Sequence, residues 1–254
     1  MPRRGPRSRR WCVPPTILHG PDETLEGAAI LVEIPGDLGV LLWRAARDVR
    51  LWGEAPPDAR ENLFADGSGD ARLAGLIATD LPAKISAPVD TIHGMLTLGA
   101  RADASILCIC CLEVAAWAHG GGKKEAAVAF AQAGASAEPD FAEAALHTGI
   151  YARSAGQDVR AEGWLRRAAG LSRRELNGPA YSAALVELGA LYEGRGIAEG
   201  AEWFFWIGYR VARRYASPRT RMRAAHGLFR LAQASAMADL RPRDAAARKV
   251  ERAS

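Results

Sequence analysis

Residues 188–212 read LGALYEGRGIAEGAEWFFWIGYRVA, and the placement of small residues inside that stretch decides the fold. Gly189, Ala201 and Gly208 are small where two neighbouring helices would have to touch. Gly196 stands between the two helical segments, where a residue in the left-handed conformation ends the first. Leu185, Leu188, Tyr192, Phe204 and Phe205 supply the bulk that fills the space around those close approaches. The stretch predicts two antiparallel helices joined by a glycine turn.

The same arrangement recurs along the chain, and a fixed period changes the whole fold expectation. Aligning 182–215 with 142–175 sets Gly189 over Gly149, Gly196 over Gly156, Ala201 over Ala161, Phe205 over Leu165 and Gly208 over Ala168, always 40 residues apart. A third copy upstream, at an offset of 34, sets Ala115, Gly122, Ala127 and Ala131 over Gly149, Gly156, Ala161 and Leu165. Pro139 and Pro218 close two of these units, and a fourth begins at Thr220, with Gly227 falling 38 residues after Gly189. The wider later spacings imply either longer helices or an extended connection at Ser172–Pro179. A hairpin of this kind cannot bury its faces alone, so the units must stack.

Leu188, Gly189, Tyr192, Gly196, Ala201, Phe205 and Gly208 stand at the signature positions of the tetratricopeptide repeat, which this stretch resembles. TGIYARSAGQDVRAEGWLRRAA, Thr148 to Ala169, is similar but weaker, with Ala152 where that family prefers an aromatic residue. The unit from about Cys108 to Pro139 keeps Gly122, Ala127 and the closing proline. The resemblance covers roughly 108–238. It implies an all-α fold, a right-handed α-α superhelix of antiparallel hairpins, whose inner wall is formed by the first helix of each pair. It also implies a bacterial regulator or scaffold with longer repeats than the commonest kind.

Composition agrees with an all-α chain. Alanine supplies 51 of the 254 residues, and alanine, leucine, arginine and glutamate lose little rotamer freedom in a helix. No apolar run approaches the roughly 20 residues of a membrane-spanning helix; Ile106–Ala118 is short and interrupted by Glu113. The net charge of +4 resides at the ends, with +5 in residues 1–10 and +3 in 241–254, which leaves −4 for the body. The basic balance therefore describes two tails and not a binding face. Trp11 onward is broken by Pro14, Pro15 and Pro21 before an export signal could form, and the four cysteines are too few and too clustered for a disulfide scaffold, so a cytoplasmic protein with free thiols is expected.

The expected organisation is a disordered basic arm over 1–25, an irregular helical region over 26–103, repeats over 104–238 and a disordered basic tail over 239–254. Within the second region, helices are predicted for Leu38–Trp52 with Asp37 as N-cap, for Pro57–Phe64 before the Gly67-Ser68-Gly69 turn, for Asp70 to about Leu81, and for Ser86–Gly99. The repeat helices are expected in units of about 104–139, 141–175, 180–217 and a partial 219–238. Arg241-Pro242 should break the chain before a good second helix of the last unit. The lone helix is then the solvating cap such arrays need; its outward face, with Leu228, Leu231 and Met237, is alternatively a seat for a second copy of the chain.

Candidate chemistry is thin. Cys108, Cys110 and Cys111 have no second ligand pair and read as small packing residues. The five histidines show no metalloenzyme spacing, and Gly120-Gly121-Gly122-Lys123-Lys124 lacks the phosphate-loop pattern and its preceding strand, so it reads as an inter-helix turn. Trp203-Phe204-Phe205-Trp206 points around a whole helix circumference, so most of it should be core, with one ring exposed. Neither catalytic residue, metal nor cofactor is expected.

By the repeat register, the inner wall would carry Glu143, Leu146, Ile150 and Arg153 in one unit, Val186, Ala190 and Glu193 in the next, and Arg221 and Leu228 in the last. The wall is apolar with flanking charges and lacks a carboxylate clamp of lysine, asparagine and arginine. It fits an extended or helical protein segment with apolar anchors. The leading expectation is therefore a non-enzymatic adaptor that binds a partner protein or peptide, with neither membrane nor nucleic acid as partner. The alternative is a regulatory module in which 38–100 forms a separate helical domain, this domain or the arginine arm touching DNA or an output component.

Overall fold

The computed structural model describes the backbone of residues 25–61, 63–64 and 81–251, and the side chains of 29–61, 63–64 and 81–237. The arginine arm, the Gly67-Ser68-Gly69 turn and nearly all of the helix expected over 70–81 lie outside the described residues. Every element among the described residues is helical: α1 (Leu25–Glu33), α2 (Asp37–Glu54), α3 (Pro57–Arg60), α4 (Ser86–Leu96), a 3-10 turn (Gly99–Arg101), α5 (Ala104–Gly120), α6 (Lys124–Ala137), α7 (Ala142–Ser154), α8 (Asp158–Arg174), α9 (Gly178–Gly194), α10 (Ala198–Arg214) and α11 (Pro218–Glu251). None of them is long and apolar enough to cross a membrane.

From α5 onward each helix packs on the helix before and after it in sequence, and the first helices of successive pairs, α5, α7, α9 and α11, also touch one another. One local device makes the three pairs. Gly122, Gly156 and Gly196 have φ of 75°, 75° and 73°. The next residue in each case donates its N–H to the carbonyl five residues back: Lys123 to Ala118 at 2.8 Å, Gln157 to Ala152 and Ile197 to Tyr192 at 2.9 Å. This glycine-closed bond satisfies a helix-end carbonyl and turns the chain back in three residues. The wider spacing of the later units is met by helix length: α8, α9 and α10 have 17 residues each, against 14 for α6 and 13 for α7.

After the second and third pairs the same turn is built without glycine. Leu176 and Ala216 take φ of 57° and 52°, and Asn177 and Ser217 donate to Ser172 O and Ala212 O, both at 2.9 Å. Asn177 also caps α9, its Oδ1 accepting from Ala180 N at 3.1 Å, and Asp103 caps α5 by accepting from Ser105 and Ile106.

The small residues seat the helices as the sequence implies. A methyl group placed on Gly149 would lie 2.7 Å from Leu165, and one on Gly189 2.7 Å from Phe205, so each first helix lies against its partner at a distance only glycine permits.

The N-terminal region does not stand apart. Trp52, Ile92, Phe130 and Leu165 belong to one continuous core. Glu33 on α1 accepts from the N–H groups of Glu125 and Ala126 at 3.1 and 3.0 Å, capping α6 across more than 90 positions of sequence. Trp52 donates its indole N–H to Gly99 O at 2.8 Å.

Several boundaries differ from expectation. Gly36, with φ 81°, occupies the N-cap of α2, and Asp37 is its first residue, where a carboxylate still opposes the helix dipole. The helix expected over Pro57–Phe64 stops at Arg60, whose guanidinium folds back to donate to Ala55 O and Gly53 O and covers Trp52 at 4.0 Å. At the other end no break occurs at Arg241-Pro242. Helix α11 continues through Pro242 to Glu251, and the alanine-rich sequence on either side explains how one proline is absorbed.

Candidate functional site

The face carried by the first helices is built from three kinds of residue. Glu143 on α7 and Arg221 on α11 are exposed, and Ile150 and Ala190 are half-buried. Ile109 on α5, one repeat upstream of Glu143, is half-exposed, although the sequence reading omitted it. Ile109, Glu143, Ile150 and Ala190 present a lightly apolar surface, whereas Arg221, about 200° around α11 from the Arg223 that reaches Glu187, lies off it.

Val186 and Leu146 do not belong to that surface. Val186 is 1 % exposed, enclosed with Ala201 and Phe205 and covered by Ala224 of the next first helix, and Leu146 is buried in the main core. Helical periodicity aims both toward the wall, but the adjacent first helix lies over Val186 and the main core takes up Leu146. Leu228 turns inward as well: with Leu231 it packs on the cluster of Val186 and Phe205. These two leucines are therefore not outward-facing, and the exposed large residues of α11 are Met222, Phe229 and Met237.

Arg153 and Glu193 are engaged with residues that the sequence reading missed. Arg153 donates Nη2 and Nε to Glu187 Oε2 at 2.8 and 3.2 Å, while Arg223 on α11 donates to the other carboxylate oxygen. Glu187 is 2 % exposed, so a buried carboxylate ties three successive first helices together. Glu193 accepts from Arg230 Nε at 2.8 Å, and Arg230 also contacts His226 Nδ1 at 2.8 Å. The signal was present as opposite charges one repeat apart, at separations of 34, 36 and 37 positions.

A second network joins α8 to the end of α9. Glu162 accepts from Tyr192 at 2.8 Å and from Arg195 at 2.5 Å, and Arg166 donates to Glu162 at 2.9 Å and to Tyr192 at 2.8 Å. The Arg195 guanidinium foremost, then the Tyr192 hydroxyl and Arg166, hold the Glu162 carboxyl down at about 2.

Among the described residues the reactive types are mostly buried or engaged. Burial pushes the Cys108 thiol up to about 12 and Cys111 well above its usual range, which keeps both protonated and inert. Burial lowers His147, whose ring lies 5.8 Å from that of Tyr151, and the His119 ring lies tilted at 4.9 Å from Tyr151. Ser154 lies 3.5 Å from His119 Nδ1, but its hydroxyl donates to Tyr151 O at 2.8 Å. Among the described residues no group of three histidine, cysteine, aspartate or glutamate side chains could hold a metal ion. In the aromatic run Phe204 and Phe205 are core, while Trp203 and Trp206 are both more than half exposed, one more ring than expected. Trp206 stacks on Tyr209, which shields part of its surface.

No protein-family model, curated protein or solved structure matches the chain.

Proposed function

We propose that this protein is a non-enzymatic adaptor of the tetratricopeptide-repeat type, whose stacked hairpins curve into a superhelix and bind a partner protein or peptide on the concave face of their first helices. The observation that carries this reading is the threefold recurrence of one glycine turn, with the same bond and the same φ, between paired helices seated on Gly149 and Gly189. Stacked pairs of this kind leave one continuous face along the first helices.

The ion pairs refine which residues meet the partner. Arg153, Glu187, Arg223, Glu193 and Arg230 satisfy one another and hold the helices in register. Ile109, Glu143, Ile150 and Ala190 are left to the partner, a surface suited to an extended or helical segment with apolar anchors.

The test is quantitative affinity purification of the tagged full chain from its host, comparing the intact protein with Ile109→Glu and Glu143→Arg. Both positions are on the surface, so the variants should fold. Loss of the same specific co-purifying protein from both variants is the expected result. Retention of every specific partner by both variants would remove the first-helix face from consideration.

A further inference from the structure

Helix α11 stands in the first-helix position, no second helix follows it among the described residues, and its uncovered flank can be read by repeat register. Met222 corresponds to Ser182 and Ala142, and Phe229 corresponds to Gly189 and Gly149, at the offset of 40 that separates the turn at Leu176-Asn177 from the one at Ala216-Ser217. All four counterparts are buried, and Gly149 and Gly189 lie against Leu165 and Phe205 of the second helices of their own hairpins. Met222 and Phe229 are 69 % and 64 % exposed. Ala225, Ala232 and Ala236 are also exposed, and at 100° per residue they fall with Met222 and Phe229 in one stripe. The opposite flank, through Ala224, Gly227 and Leu228, is occupied by α9 and α10; a methyl group on Gly227 would lie 2.6 Å from Phe205.

Charge decides what fits. Residues 203–237 contain seven arginines and not one aspartate or glutamate. Arg223 and Arg230 are paired with Glu187 and Glu193, whereas Arg210, Arg213, Arg219 and Arg221 are exposed and have no carboxylate partner among the described residues. On the helical wheel Arg221 borders the stripe on one side and Arg219 on the other. An open depression of about 600 Å³ lies beside it, lined by Tyr209, Pro218, Arg219, Arg221, Met222 and Ala225. A second copy docking through the same face would bring arginine against arginine, and the helical spacing of the apolar stripe matches another helix.

We infer that this flank of α11 binds an acidic amphipathic helix of a partner protein, which lies against it as α8 lies against α7 and α10 against α9. Its apolar face covers Met222, Ala225 and Phe229, and its carboxylates meet Arg219 and Arg221. This site is separate from the first-helix wall.

The probe is a labelled 17-residue peptide with the apolar register of Ala198–Arg214 and glutamate at its solvent-facing positions, titrated into the full chain by fluorescence anisotropy. Its isomer with lysine in place of glutamate is the control. Saturable binding of the acidic peptide is expected, weakened about tenfold by Phe229→Ala and by the Arg219→Ala, Arg221→Ala double variant. Both replacements lie on the surface, and unchanged circular dichroism spectra confirm folding. Ile109→Glu and Glu143→Arg should leave this affinity unaltered, so its failure and that of the wall are read separately. Equal binding of the lysine isomer, or no effect of either α11 variant, would overturn the inference. So would a dimer in sedimentation equilibrium that Phe229→Ala dissolves, which assigns the flank to a second copy. Tighter binding of an oligothymidylate that is lost with the arginines but indifferent to Phe229 would overturn it in favour of nucleic acid.

Discussion

Arg153 on α7 grips Glu187 on α9 with two guanidinium nitrogens, at 2.8 and 3.2 Å, across 34 positions of sequence. The carboxylate is almost fully enclosed, while Arg153 keeps a third of its side-chain surface in water. Removing the acid leaves two arginines facing each other without a counter-charge, which costs more than the pair itself contributes. Glu187→Ala should lower stability by about 1–3 kcal/mol in urea denaturation, and Arg153→Ala by less, because Arg223 still pairs with the enclosed carboxylate. A double-mutant cycle of the two should return a coupling of about 1 kcal/mol; a value near zero would mean that the bridge adds nothing to holding the first helices in register.

Glycine in a helix usually costs stability, so the direction of change on replacing it reports how closely a neighbour approaches. Gly149→Ala and Gly189→Ala each drive a methyl group into Leu165 or Phe205 and should destabilise by about 1–3 kcal/mol. Gly163 and Gly170 lie on α8 with nothing within 4 Å of an added methyl group. Gly163→Ala and Gly170→Ala should instead stabilise by about 0.5–1 kcal/mol. Thermal or urea unfolding of the four variants gives opposite signs if the hairpins are seated as described, and one common sign if they are not.

Those glycines also show why the hairpins were legible in the sequence. A small residue recurring at fixed spacing among large ones has few physical explanations, and Gly122, Gly156, Gly196, Gly149 and Gly189 each do what their placement implies. The wall was less legible, because helical periodicity fixes an angle about one helix axis and says nothing of the helix next door. Val186 and Ala190 lie about 40° apart on α9, yet Val186 is enclosed by Ala224 and Ala190 is only half-buried. Leu228 and Phe229 are adjacent, and the rotation that sends the leucine inward exposes the phenylalanine. Arg60 and Pro242 mark the same limit at helix ends: a fold-back onto Trp52 and a proline absorbed by flanking alanines depend on context beyond the local residue.

The Glu162 network gives stability a definite acid dependence. Its carboxyl is lowered from 4.5 to about 2 by Arg195, Tyr192 and Arg166, so the folded state binds this proton more weakly than the unfolded chain does. The contribution is complete above about pH 4.5 and disappears as the pH falls through about 2. The difference in urea midpoint between the intact protein and Glu162→Gln should therefore be constant from neutral pH to about pH 5 and shrink steadily below that. A difference that is independent of pH down to about 2 would show that the charge on Glu162 is not what joins α8 to α9.

The turns between hairpins offer stability that the chain does not use. Leu176 and Ala216 occupy the left-handed conformation with a side chain, at φ 57° and 52°, in the position that Gly122, Gly156 and Gly196 fill within the hairpins. A Cβ there crowds the following carbonyl, and this outweighs the greater freedom that glycine has in the unfolded chain. Ala216→Gly should raise stability by about 0.5–1 kcal/mol, and Leu176→Gly by a similar amount, since Leu176 is exposed and little packing is lost with it. Calorimetric unfolding of both variants checks the sign. A fall in melting temperature for Ala216→Gly would mean that the connection between α10 and α11 relaxes away from the left-handed turn in solution, and the register that leaves Met222 and Phe229 uncovered would need revision with it.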